Sequence, residues 1–165
     1  MKKAVALLFA LTFCVASAFA FDLDDSIVRW NSIVGVITAP GVDNPVGGIH
    51  SGAGPWSAHS GHVLVNLGTG VTFVSVEGLV LNGGTSSGTP GRVTSITGTL
   101  VCNVTSATPT VLDTTPIALD VHGNAHFAGQ ISGIPATCDG PLFLLRAGGR
   151  WIATGSQRFI GDEGQ

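Results

Sequence analysis

Val71-Thr72-Phe73-Val74-Ser75-Val76-Glu77 is a run of β-branched and aromatic residues with a polar side chain at alternate places. Its period is two, the repeat of a strand whose successive side chains point to opposite faces. The same period returns along the chain. Val93 to Val104 alternates Thr and Ser against Val, Ile and Leu, and Ile27 to Thr38, His62 to Leu67, Ile117 to Val121, His126 to Ile131, Pro141 to Arg146 and Arg150 to Phe159 complete the set. Gly, Pro and Asn stand between these runs as turn signals. Only Asp22-Leu23-Asp24-Asp25-Ser26 hints at a helix start. About eight strands separated by turns predict an all-β fold, a single antiparallel β-sandwich or partly closed barrel. No repeat of solenoid or propeller length is present.

Two turns invite a register. Gly148-Gly149 supplies the positive φ angles of a two-residue hairpin, which sets Arg146 opposite Trp151 and Leu145 opposite Ile152. An Arg beside a Trp there could stack as a cation–π pair, although structural support is the expected role of both. At Gly123-Asn124 the buried face decides. A three-residue loop ending at Ala125 aligns Val121 with Phe127 and Leu119 with Gly129, and it places His122 opposite His126. Two connections are long. Asn82 to Gly91 is rich in Gly, Ser and Thr, and residues 39–61 hold six glycines, three prolines, Trp56, His50 and His59. Loops of that length in compact domains are functional or disordered.

The first twenty residues have a different character. Lys2 and Lys3 precede an uncharged run from Ala4 to Ala16, and Ala18-Phe19-Ala20 places small residues at −3 and −1 of a cut after Ala20. This is the layout of a secretory signal peptide over residues 1–20, followed by one domain over 21–165. An alternative cut follows Ala18, and Phe13 before Cys14 departs from a lipobox. Cleavage removes both lysines, leaving five arginines against ten carboxylates, a formal charge of −5. Without a basic cluster, nucleic acid and an anionic membrane surface are not expected partners. No later apolar run is long enough to cross a bilayer. The protein is expected in the periplasm or outside the cell. There the remaining cysteines, Cys102 and Cys138, are expected to form a disulfide. Closing a loop of about 37 residues contributes about 4 kcal/mol in the chain-entropy account.

Chemistry-bearing motifs are sparse. Gly84-Thr85-Ser86-Ser87-Gly88 matches the pattern of a hydrolase nucleophile elbow but lies in a Ser/Gly loop with no helix pattern after it. His50, His59 and His62 are the candidate metal ligands, because three imidazoles with an open position suit Zn or Cu. His122 and His126, with Asp120 nearby, could share a metal only in the three-residue register. Glu77 stands in an apolar strand with no second acid placed near it, which gives paired-carboxylate catalysis no support. Asn103-Val104-Thr105 fits a glycosylation sequon. No catalytic residue and no cofactor are expected.

Gly48-Ile49-His50-Ser51-Gly52-Ala53-Gly54 leading to His62-Val63-Leu64-Val65-Asn66-Leu67 is similar over about twenty residues to the core of CHRD domains, extracellular β-rich modules. The His-x-His of that family is missing. Thr99 to Cys102, Pro135 to Cys138, Pro141-Leu142-Phe143-Leu144-Leu145-Arg146 and Gly149-Arg150-Trp151-Ile152-Ala153 resemble uncharacterised bacterial exported β-rich proteins. That resemblance spans most of the mature chain and implies no activity. The expected function is an exported, non-enzymatic binding, structural or interaction module. The alternatives are a metal-binding or small hydrolytic protein using the His-bearing loop, and an envelope subunit that self-associates through exposed strand edges.

Overall fold

The computed structural model describes residues 26–39 and 41–160, so the expected signal peptide and its cleavage site lie outside the described residues. Eleven strands follow one another: β1 (Ile27–Gly35), β2 (Trp56–Ser57), β3 (Ser60–Asn66), β4 (Val71–Glu77), β5 (Val80–Leu81), β6 (Ser95–Cys102), β7 (Thr110–Asp113), β8 (Ile117–Ala118), β9 (Ala125–Gln130), β10 (Leu142–Ala147) and β11 (Arg150–Ile160). The fold is all-β. Its main sheet runs β7-β6-β10-β11-β1-β3-β4-β9, with every neighbour antiparallel. β8 pairs with the start of β6 while β7 pairs with its end. The sheet curls on itself as a half-barrel, the partly closed alternative of the sequence reading. β2 and β5 form a separate ribbon, tied to β1's end by the Trp56 N–H donating to the Val36 carbonyl.

The concave side holds the core. In β4 the inward residues are Thr72, Val74 and Val76, whereas Phe73 points out with 47% of its surface exposed. A buried Thr is tolerated because its hydroxyl donates to the Gly70 carbonyl at 2.9 Å. Across the sheet Trp30 and Phe143 lie in the core with ring centroids 5.7 Å apart. Each ring lies over a glycine. A Cβ on Gly155 would stand 2.6 Å from the Trp30 ring, and one on Gly98 would stand 2.7 Å from Phe143. The bare strands make room for the two largest fully buried side chains.

Cys102 at the end of β6 is disulfide-bonded to Cys138, with the Cα atoms 4.7 Å apart. Next to it Asn103 adopts a positive φ of 56° and exchanges hydrogen bonds with Asp139. Its amide also donates to the Thr137 carbonyl. The Asn of the sequon therefore braces the bridge.

Both hairpin registers need revision. Arg146 does stand opposite Trp151, but a bulge after Leu145 sets Leu145 against Ala153 rather than Ile152. The extra residue lets Trp151, Ile152 and Ala153 all be buried in succession. Instead of stacking on Trp151, Arg146 reaches over β6 to Asp113 on the edge strand at 3.0 Å. Near Gly123, β8 pairs with β6 and β9 with β4, so no ladder brings His122 opposite His126.

Candidate functional site

Residues 41–54 are ordered by their own sequence. Gly47 and Gly48, with φ of 56° and 77°, make a two-residue turn that bridges Val46 to Ile49. Counting back from that turn, Asn44 and Asp43 fall beside His50 and Ser51. The Asn44 N–H donates to the Ser51 hydroxyl at 3.0 Å, and the Ser51 N–H donates to Asp43 Oδ1 at 3.0 Å. Asp43 Oδ2 is hydrogen-bonded to His50 Nδ1. The loop is fastened to the start of β11, where Ser51 bridges Trp151, the Trp151 N–H donates to the His50 carbonyl, and the indole N–H donates to the Asn44 carbonyl at 2.8 Å. Arg150 Nη1 donates to the Ser51 carbonyl at 2.8 Å.

A cavity of about 410 Å³ opens beside this loop, lined by Val42, Asp43, His50, Ala53 and Arg150 among others. The hydrogen bond from His50 holds the Asp43 carboxyl below the usual carboxylate value. Partial desolvation opposes it, and the Ser51 N–H and the charges of His50 and Arg150 assist it. With both oxygens of Asp43 engaged, the carboxylate orients the imidazole. Because Nδ1 is occupied, Nε2 is the ring nitrogen a ligand can reach, and the side chain is 67% exposed. Such an imidazole can act as a base, as a hydrogen-bond donor or, when protonated, as a cation. Ser51 does not complete a catalytic triad: it is buried and its hydroxyl lies 3.4 Å from Asp43 Oδ1.

A larger hollow, about 650 Å³, lies where the end of β4 meets the turn between β8 and β9, lined by Glu77, Asp120, Asn124 and His126 among others. Its carboxylates are already engaged. Asp120 accepts the N–H groups of His122 and Asn124 and the Asn124 side-chain amide, and Glu77 accepts the Ser60 hydroxyl. The loop cavity, with an oriented imidazole and a guanidinium, has the better chemistry for a ligand.

The three metal-ligand candidates are not brought together. His50 pairs with Asp43, His59 is exposed with its backbone N–H donating to the Glu77 carbonyl, and His62 stands on the outer face of β3. Among the described residues no three His, Cys, Asp or Glu side chains are grouped to hold a metal. The sheet instead aligns His62, Ser75 and His126 in one row across β3, β4 and β9, where Ser75 Oγ lies 3.2 Å from His126 Nδ1. Ser86 remains in a turn between β5 and β6, without the helix an elbow requires.

Sequence reasoning missed Asp43, Ser51 and Arg150. The Gly47-Gly48 dipeptide was the signal for the first two. Folding the chain at that pair places residues 44 and 43 across from 51 and 52, next to His50. Arg150 had no such signal, because the loop's docking on β11 is a long-range contact.

The chain was compared with known proteins. It matches no family model, no curated protein and no solved structure.

Proposed function

We propose that the mature chain is an exported, non-enzymatic binding module of the periplasm or extracellular space, and that residues 41–54 with Arg150 form its ligand-contacting surface. Export is supported by the leader-like start of the sequence and by the Cys102–Cys138 bridge, a bond suited to an oxidising compartment. No helix among the described residues is long and apolar enough to cross a membrane. One observation carries the binding role. The longest loop is pinned to β11 by backbone and indole hydrogen bonds, and it presents an oriented imidazole beside a guanidinium at the edge of a cavity. Ordering a long Gly-rich loop is entropically costly, so the order itself points to a working surface. A serine-type hydrolytic role would need a hydroxyl facing His50, and the one hydroxyl of residues 41–54 is turned to Asp43.

The test is an NMR titration of ¹⁵N-labelled residues 21–165 with acetate, N-acetylglucosamine and a neutral blocked dipeptide. The expected result is that at least one probe shifts the amides of residues 41–53 and Arg150. Shifts confined to the outer face around Phe73 and His126, or none at all, overturn the assignment.

A further inference from the structure

We infer that the loop cavity takes a carboxylate-bearing ligand, gripped by Arg150 and, in its cationic form, by His50, with Asp43 as the positioning residue for the imidazole. The inference rests on the loop being the binding surface and adds the chemistry of what it binds. Three observations support it.

The first is how the donors are held. Asp43 is saturated by His50 Nδ1 and the Ser51 N–H, so it is fixed in place as the partner of the ring. Arg150 is anchored through Nη1 to the Ser51 carbonyl, which steadies its planar group while leaving the rest of its N–H fork for a second partner. An Arg fork matches the two oxygens of a carboxylate, and a protonated imidazole adds a charge-assisted donor at Nε2.

The second is charge. Asp43, His50 and Arg150 are the charged or titratable side chains that line this cavity. The fixed charges of Asp43 and Arg150 offset one another, so the site offers one guanidinium and one imidazole to a single carboxylate, without the excess of positive charge that a phosphate dianion would call for. The surrounding chain is acidic, so this spot is an exception to the field of the molecule.

The third is space. A cavity of about 410 Å³ falls in the range of small organic-ligand pockets and exceeds what a bare carboxylate fills. Val42, 55% exposed, and Ala53 offer uncharged contact for the body of the ligand. An acidic sugar or a peptide C-terminus has this composition: one carboxylate on a compact neutral frame.

The experiment uses residues 21–165 and follows the His50 ring and Arg150 side-chain resonances during titration with acetate, glucuronate, inorganic phosphate and N-acetylglucosamine. Acetate and glucuronate are expected to give saturable shifts, with glucuronate the tighter. Arg150→Gln is expected to weaken both about tenfold, and Arg150→Lys to restore part of the loss. His50→Gln is expected to weaken both by a similar factor, with an amide spectrum unchanged outside the loop as the sign of an intact fold. Asp43→Asn is expected to weaken both in the otherwise unaltered chain and to add no further loss to His50→Gln, a readout that a merely structural role would not give.

Acetate binding undiminished in both Arg150→Gln and His50→Gln overturns the proposal, as does tighter saturation by phosphate than by acetate. Loop shifts with N-acetylglucosamine alone overturn the carboxylate while upholding the loop as a binding surface. No shift with any probe up to roughly 100 mM, beyond millimolar affinity, overturns both.

Discussion

Asp120 and Asp43 sit in different turns and do related work: each carboxylate accepts at least one backbone N–H across its turn. Asp120 Oδ1 takes the N–H of His122 and of Asn124, both at 2.8 Å, and Oδ2 takes the Asn124 amide at 3.0 Å. The Asn124 N–H is the largest influence holding the Asp120 carboxyl below its ordinary value, against partial desolvation and together with the Asn124 side chain and His122. A carboxyl depressed on folding contributes stability above its unfolded value and loses it as pH falls through the folded one. Both turns are thus expected to loosen below the ordinary carboxylate range. Asp120→Ala should reproduce that loosening at neutral pH, seen as faster amide hydrogen exchange at His122 and Asn124 with β4 unaffected. Unchanged exchange at those two amides would remove the turn from Asp120's account.

Beyond their hydrogen-bonded ladders, the elements are held together by complementary apolar surfaces. Trp30 of β1 fills the space left by Gly155 of β11, so Trp30→Ala is expected to cost about 3–5 kcal/mol in urea unfolding, with transfer and cavity terms adding. A loss below about 1 kcal/mol would show that the core collapses around the gap. The bridge from β6 to the segment before β10 closes a loop of 36 residues in separation. Cys102→Ser with Cys138→Ser is expected to lower stability by about 2–5 kcal/mol, checked by the shift in the denaturation midpoint. At this scale the sequence was largely readable. β4 matches its expected span residue for residue, and the strands around Ile27, His62, Leu142 and Arg150 came within a few residues. β2 and β5 were invisible because two residues have no period, and β7 lies in a Thr-rich stretch with little apolar contrast. The inward face of β4 was also not evident, since Thr72 is buried by virtue of a hydrogen bond to Gly70 that no alternation encodes. For the candidate site, His50 and its loop were legible, but the partner that orients the ring depended on a turn hidden inside a long Gly/Pro-rich connection.

The whole molecule is a half-barrel whose middle is made by its first and last strands. β1 pairs with β11 over nearly its full length, Val28 with Ile160 at one end and Gly35 with Ala153 at the other. Among the described residues, the sheet ladders of the two halves, β7-β6-β10 and β3-β4-β9, are joined through that pair. Removing residues 150–165 is therefore expected to abolish cooperative folding altogether, rather than trimming an end. The check is loss of the sharp urea transition and of near-ultraviolet dichroism from Trp30. A truncated chain that still unfolds in a single sharp transition would show that β1 finds another partner.

The central pairing also sets a timetable. Residues at opposite ends of the described chain must meet before the sheet has a centre, so a growing chain cannot complete its core until β11 has left the ribosome. Until then the hairpin of β3 and β4 can pair but the sheet lacks its centre, and a circular permutant joining the two central strands by a short loop is expected to form that centre earlier in synthesis.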